Sequence, residues 1–310
     1  MGFEQRRQCD IVHEPSGLAQ LPDGRIVVVD DEKSHPINIL TLDDDLMLST
    51  EPLRIEPLFS RSSGSESSDV LNDLEAVTID NQGFVYAITS HSRAKSGKRS
   101  IAREQLVRFR VDGNGLAEVS VFVDLRNAMV RLDDQLKIAA RVKDVKGAGG
   151  FNIEGLSFNK ASGELVIGLR SPVVDDKAMI IVIKNPNTLF DNDETPNFAD
   201  DPIYLALDKG GIRAIAFDPK LGGYLIISRQ EKDGEEFKLW LWSGNASHAP
   251  RRVNVDGNYD LSKAEGIAPI RHNGIERIMI AFDVGQKSKR NKGCYLFLSY
   301  DQLELISILD

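Results

Sequence analysis

The sequence predicts an all-β chain, a β-propeller of four-stranded blades that forms one domain over residues 1–310. Three observations predict it. Five segments repeat the same order of short apolar runs and glycine turns, the second run of each repeat is almost wholly apolar, and a charged residue opens each repeat at the same point. A four-stranded unit recurring along a chain reads as a blade. A β-sandwich would need no charge at a fixed position of every unit. Five blades are expected, with a sixth as the alternative inside Leu116–Phe151.

The repeats open at Glu14-Pro-Ser-Gly-Leu, Glu75-Ala-Val, Glu154-Gly-Leu, Arg213-Ala-Ile and Glu265-Gly-Ile. Glycine turns such as Pro22-Asp23-Gly24 and Asn81-Gln82-Gly83 then lead into second runs, IVVVD from Ile26, FVYAITS from Phe84, ELVIGL from Glu164, YLIIS from Tyr224 and RIMIAF from Arg277. Two β-rich runs around such a turn read as a hairpin. Continuous apolar character suits a strand buried on both faces. Third runs follow from Ile37, Gln105, Met179, Lys238 and Tyr295. The fourth runs are PLRIEPL from Pro52, EVSVFV from Glu118, IYLAL from Ile203, RRVNV from Arg251 and LELISIL from Leu303. The run Cys9–Val12 competes with LELISIL for the outer strand that closes the ring.

Between the blades, Leu125, Met129, Leu132 and Leu136 fall on one helical face and predict an amphipathic helix within 125–143. It would pack on a blade edge, or serve as a lid or dimer contact. Arg61–Asp69 reads as a polar loop, Ser92–Arg103 and Lys287–Lys292 as basic loops, and Asp191–Asp201 as an acidic one.

The chain is 41% apolar and 27% charged with a net charge of -9, ordinary for a globular protein with a sizeable core. The acidic balance and the lack of a basic–aromatic stripe argue against nucleic acid and anionic membranes as partners. No apolar run approaches the ~18 residues needed to span a bilayer. The opening MGFEQRRQCD lacks an apolar secretory core, and Arg6 stands where a myristoylation signal needs Ser or Thr. Cys9 and Cys294, far apart and in no metal-ligand spacing, read as free thiols in a reducing compartment. A cytoplasmic location is therefore expected. The oligomeric state is open.

In a propeller the start of each inner strand and the end of the second strand lie at the same face, near the channel mouth. Sixteen residues after Glu14, Glu75, Glu154 and Arg213 stand Asp30, His91, Arg170 and Arg229; Glu265 is followed by Asp283. Glu14, Glu75, Glu154, Glu265 and Arg213 thus face one axis, with Asp30, Asp31, His91, Arg93, Arg170, Ser171, Arg229 and Asp283 as a second tier. Converging carboxylates need neutralising. The arginines could do so in a closed ion-pair network, or a hard cation such as Ca²⁺ or Mg²⁺ could be held by Glu14, Asp30, Glu265 and Asp283. Alternatively the glutamates bond to amides of neighbouring blades and lock the ring. If the mouth is catalytic, Glu75 and Glu154 are the candidate general bases. His91, Arg93, Arg170, Arg213 and Arg229 would then bind an anionic, phosphorylated or carboxylated, small molecule.

The segments Asp73-Leu-Glu-Ala-Val, Thr89-Ser-His-Ser-Arg, Asn152-Ile-Glu-Gly-Leu, Gly168-Leu-Arg-Ser-Pro and Gly211-Ile-Arg-Ala-Ile carry a resemblance over most of the chain. The chain resembles a largely bacterial propeller family known only as a domain of unknown function, which implies the fold and no mechanism. More distantly, the Glu-Gly-Leu/Ile openings look like those of phytase-like, esterase-like and gluconolactonase-type propellers. That likeness implies channel carboxylates holding Ca²⁺ and hydrolysis of phosphoesters or lactones. The arginines Arg170, Arg213 and Arg229 depart from it, standing where a metal cage would place oxygen ligands. A phosphoester or lactone hydrolase is one reading. A non-catalytic binding or interaction scaffold with structural channel charges is the other. A Ser90–His91–Asp73 triad is not expected, because adjacent residues on a strand point to opposite sides. Trp240 and Trp242, on one strand face, read as core.

Overall fold

The computed structural model describes residues 8–9, 11–31, 35–54, 71–143, 149–230, 237–257, 259–284 and 293–306. The polar loop Arg61–Asp69 and the basic loop Lys287–Lys292 lie outside the described residues. Five antiparallel sheets are arranged as five blades. Blade 1 comprises Pro15–Gln20, Ile26–Asp30, Ile37–Leu42 and Leu48–Pro52. Blade 2 comprises Leu74–Ile79, Val85–Thr89, Leu106–Asp112 and Gly115–Phe122. Blade 3 comprises Asn152–Asn159, Glu164–Val174, Lys177–Ile183 and Ile203–Ala206. Blade 4 comprises Gly211–Asp218, Gly223–Arg229, Phe237–Trp242 and Arg251–Val255. Blade 5 begins with Ala264–His272, Ile275–Phe282 and Cys294–Leu298.

The continuous apolar second strands are explained by packing on both faces. Val27 and Val29 enter the apolar cluster between blades 1 and 2, while Ile26 and Val28 enter the one between blades 5 and 1. Leu225 and Ile227 face blade 5, and Tyr224 and Ile226 face blade 3. Each joint between neighbouring blades has one such cluster. With alternate side chains pointing to opposite faces, each second strand serves two joints. Burying one such aliphatic side chain contributes roughly 1.5–3 kcal/mol.

Several local expectations are corrected. The fourth strand of blade 1 is Leu48–Pro52 and ends where the expected run PLRIEPL begins. Leu303–Leu305 is no outer strand of blade 5; it adds a fifth strand to blade 4, pairing with Arg251–Val255. The outer strand of blade 5 is Gln8–Cys9, bonded to Cys294–Leu298, so an early segment of the chain closes the ring against a late one. The sixth-blade alternative fails, because residues 125–132 and 134–139 are helical. The single helix expected there is two, α1 (Leu125–Leu132) and α2 (Asp134–Ala139). Asp133 breaks it: its backbone is extended and its carboxylate accepts the N–H groups of Gln135 and Leu136, capping α2. Leu125, Met129 and Leu136 pack into the joint between blades 2 and 3, which makes packing the observed role of this insertion. No described helix is long and apolar enough to cross a membrane.

The free-thiol expectation is also overturned. Cys9 and Cys294 form a disulfide across the closing strand pair. Sequence spacing hides it because the two residues are 285 positions apart and only ring closure brings them together. The closing strand has two residues among those described, and the disulfide fixes it covalently to its neighbour. Cys9→Ser, or reduction of the wild type, is expected to cost about 2–4 kcal/mol of stability. Thermal denaturation with and without reductant checks this. Equal melting temperatures would show that the closure holds without the bond.

Candidate functional site

Each inner strand is interrupted by a register shift at the same place. The shifts lie between Pro15 and Gly17, Leu74 and Ala76, Ile153 and Gly155, Ile212 and Ala214, and Ala264 and Gly266. The residues skipped are Ser16, Glu75, Glu154, Arg213 and Glu265. A bulge of this kind leaves one residue out of the ladder and re-aims its side chain. Four of the five expected ring residues are therefore aimed by bulges. The fifth is a correction: Ser16, not Glu14, holds the ring position of blade 1. Glu14 lies two residues earlier, outside the inner strand.

The residue after each bulge is small, namely Gly17, Ala76, Gly155, Ala214 and Gly266. Close approach of the inner strands requires it. A Cβ on Gly17 would stand 2.8 Å from the Ala76 Cα. At the joint of blades 3 and 4 the backbone comes closer still, and a Cβ on Gly211 would lie 1.8 Å from the Arg170 carbonyl oxygen.

The bulged residues build an ion network. Glu154 Oε1 accepts from Arg170 Nη1 at 2.7 Å and from Asn152 Nδ2 at 3.1 Å, while Glu154 Oε2 lies 2.7 Å from Arg213 Nη1. Arg213 Nη2 pairs with Glu265. Arg213 is buried. Burial alone would lower its pKa, but Glu154 and Glu265 outweigh that and hold it above the usual value. Glu265 is pushed up to about 7, by burial first and by Glu154, with Arg213 opposing. The expectation that ring glutamates lock the blades through amide contacts is met by other side chains. Thr78 Oγ1 accepts from Phe158 N at 2.9 Å, and Ser157 Oγ accepts from Phe217 N at 2.8 Å. Gln20 brackets the Arg271 backbone at 2.7 and 2.9 Å.

Glu75 is different. Among the described residues no side chain donates to its carboxyl group, which is partly open to solvent at the mouth. Protein surrounds it on enough sides that burial is the largest cause of its strongly raised pKa, followed by the negative charges of Glu154, Asp73 and Asp31. Arg213 opposes the rise.

A second network was not anticipated as a unit. Asp73, with a left-handed backbone at φ 65°, accepts hydrogen bonds from Ser90 and Arg103. Arg103 Nη2 also donates to Ser92 Oγ at 2.7 Å. Burial, then Asp73 and then Glu14 push Asp31 up to about 8. Asp31 stood in the second tier by spacing, but Arg103 reaches the mouth only because its loop folds back across blade 2. No sequence signal marks that.

The remaining expected residues are placed elsewhere. His91 is buried, its Nδ1 donating to the Thr89 carbonyl at 2.8 Å, and burial pushes its pKa down to about 4. Ser90 turns to Asp73 instead of His91, so no serine triad forms. Arg93 donates to Gly97 O at 3.0 Å and Ala140 O at 3.1 Å, tying its own loop to the end of α2. Arg229 stacks over Phe237 at 5.3 Å. Asp30 accepts the N–H groups of His13 and Glu14 at 3.2 and 3.3 Å. The Asp283 amide donates to Lys263 O at 2.9 Å. Glu265 is taken by Arg213. Among the described residues no three His, Cys, Asp or Glu side chains are placed to hold a metal ion, so Glu14, Asp30, Glu265 and Asp283 do not form the expected Ca²⁺ or Mg²⁺ cage.

The model of a family described as "Protein of unknown function (DUF3616)" matches residues 124–297. No curated protein matches the chain. A GH43 β-1,3-galactosidase, solved with galactodeoxynojirimycin, is 12% identical with a TM-score of 0.54, covering 96% of each chain. A putative oxidoreductase (glucose dehydrogenase) from Thermus thermophilus is 14% identical with a TM-score of 0.47, covering 95% of this chain and 100% of that one. Likeness at such identities concerns the fold alone.

The charges set two expected outcomes. Arg213→Ala leaves Glu154 and Glu265 without their shared cation, and should cost about 3–5 kcal/mol in denaturant unfolding. Adding Glu265→Gln should recover part of that loss. The second outcome concerns pH. Asp31 and Glu265 have folded pKa values above their unfolded ones, so the native state binds more protons and stability falls as pH rises toward about 8 and about 7. His91, depressed to about 4, acts the opposite way but only below its unfolded value of 6.5. From pH 6.5 to 8 stability should therefore decline by about 2 kcal/mol, with a matching fall in melting temperature. Asp31→Asn should flatten that decline, as calorimetry across the window would show.

Proposed function

We propose that this chain, which belongs to the DUF3616 family of proteins of unknown function, binds a small uncharged ester or lactone at its acidic channel mouth and hydrolyses it by acid–base catalysis. One observation carries the reading. Glu154, Arg170, Arg213 and Glu265 are paired, whereas Glu75, its pKa raised by burial and neighbouring carboxylates, is partly open to solvent and without a donor among the described residues. Groups whose environments push their protons apart make acid and base partners.

In this scheme water adds to the carbonyl carbon and gives its proton to the carboxyl groups of Asp31 and Asp73. Glu75 passes its proton to the leaving oxygen as the acyl–oxygen bond breaks. The pair then releases a proton and Glu75 takes one up, which restores the site. Glu154, clamped between Arg170 and Arg213, keeps the negative field that holds the proton on Glu75.

The charge balance selects among ligands. The groups that set the shifts of Asp31, Glu75 and Glu265 include the carboxyls of Glu14, Asp73 and Glu154 but only the guanidiniums of Arg103, Arg170 and Arg213. Each of these arginines already pairs with a carboxylate. A phosphorylated or carboxylated ligand would meet excess acid and no open guanidinium, so a neutral ester fits better than a phosphoester. The disulfide favours an oxidising compartment over the cytoplasm as the place of action. The closed Glu154–Arg213–Glu265 network is the feature that favours the other reading, a scaffold whose channel charges are structural.

A panel of neutral esters, lactones and phosphoesters separates the two readings. Turnover of a lactone or ester is expected, falling about 100-fold or more in Glu75→Gln, with folding intact because the substitution removes an unpaired acid. No turnover by the wild type, or full turnover by the variant, would refute the hydrolase and leave the scaffold.

A further inference from the structure

Helix α2 buries one side and exposes the other. Leu136 and Ala139 enter the joint between blades 2 and 3, while Gln135, Lys137 and Ile138 face solvent. Ile138 is 57% exposed, a large apolar side chain left in water. The two ends of this exposed side carry opposite charge.

The first end is acidic. Asp133 caps the helix, and its Oδ2 also accepts from the Tyr204 hydroxyl at 3.4 Å. Asp134, Asp175 and Lys177 line the same recess. Burial raises the Tyr204 pKa, and Asp133, Asp175 and Asp201 raise it further, so the acids there outweigh Lys177.

The far end is basic and is built from two segments. Arg93 and Arg126 both donate to the Ala140 carbonyl, at 3.1 and 3.0 Å, which fastens the loop after blade 2's second strand to the end of α2. The turn at its tip closes by Gly97 N donating to Ala94 O at 2.7 Å. A Cβ on Gly97 would stand 3.3 Å from the Lys143 Cβ, so this tip lies against the chain that follows α2. Lys95, Lys98, Arg141 and Lys143 are all exposed there. Among the described residues no carboxylate pairs with any of the four. Two guanidiniums spent on one carbonyl thus hold a cationic cluster in place in a chain of net charge -9.

We propose that this face binds a second copy of the chain, with the two α2 helices antiparallel about a two-fold axis near Ile138. A surface acidic at one end and basic at the other becomes complementary to itself after a half-turn. Two-fold contacts are isologous, so the same charge pairing forms twice. The recess at Tyr204 of each copy meets the lysine and arginine cluster of the other, and the two Ile138 side chains leave water together. Six residues of helix span only about 9 Å, so the interface is smaller than the standard size and depends on its charges. No group of the channel mouth takes part, so the inference stands apart from the hydrolase reading.

Sedimentation equilibrium on the intact protein tests it. The wild type should dimerise with a Kd on the order of 10 µM at low salt. The dimer should weaken about tenfold or more as salt rises from about 0.05 M to about 0.5 M. Lys95→Glu combined with Lys98→Glu makes both ends acidic, and Asp134→Lys combined with Asp201→Lys makes both ends basic. Each double variant, folded by circular dichroism, should be monomeric. Mixing the two should restore a dimer that holds one copy of each. Ile138→Glu should weaken the wild-type dimer about tenfold. A wild type that stays monomeric at about 0.5 mM, a dimer indifferent to the charge reversals, variants that fail to associate on mixing, or open polymers in place of dimers would overturn the proposal.

Discussion

Five inner strands must converge on one axis, and almost everything else in the structure is a response to that crowding. The strands can meet only where a side chain is small or absent, as Gly17 against Ala76 shows. Immediately before each small residue the ladder slips and one side chain is turned out of the sheet. The bulge and the small residue are two parts of one solution. One relieves the crowding, and the other points a functional group at the space that remains.

That geometry forces acid and base into contact. Glu154, Arg213 and Glu265 come from three blades that are distant in sequence, yet they share a buried network. With Asp31, Asp73 and Glu75 nearby, acids outnumber guanidiniums, and burial with mutual repulsion raises the pKa of Asp31 and of Glu75. A mouth with such a surplus of carboxyl groups is poorly suited to holding an anion.

Much of this was legible in the residues. The second strands announced themselves because burial against two neighbours removes every polar position, as in IVVVD of blade 1. Ring positions Glu75, Glu154, Arg213 and Glu265 could be read because each precedes a small residue and a hairpin. Blade 1 misled for a definite reason. Its ring residue is a serine, and the charge of Glu14 two positions earlier mimicked the repeat. The helix within 125–143 was read as continuous because its apolar period continues through Asp133, whereas the cap formed by that side chain is a local hydrogen-bond choice that periodicity does not record.

By itself the sequence determined the repeat and the kinds of side chain placed at the channel, since these follow from local alternation, turn residues and burial, and the folded structure settled the count at five blades against the sixth. Only tertiary structure decided which charges touch. It turned Arg93 and His91 into loop and core supports, folded Arg103 onto Asp73, left Glu75 without a partner among the described residues, and joined Cys9 to Cys294. The physical reason is that strand periodicity is a property of neighbours in the chain. Pairing, proton sharing and ring closure depend on distances between residues that the chain brings together only after every blade is in place.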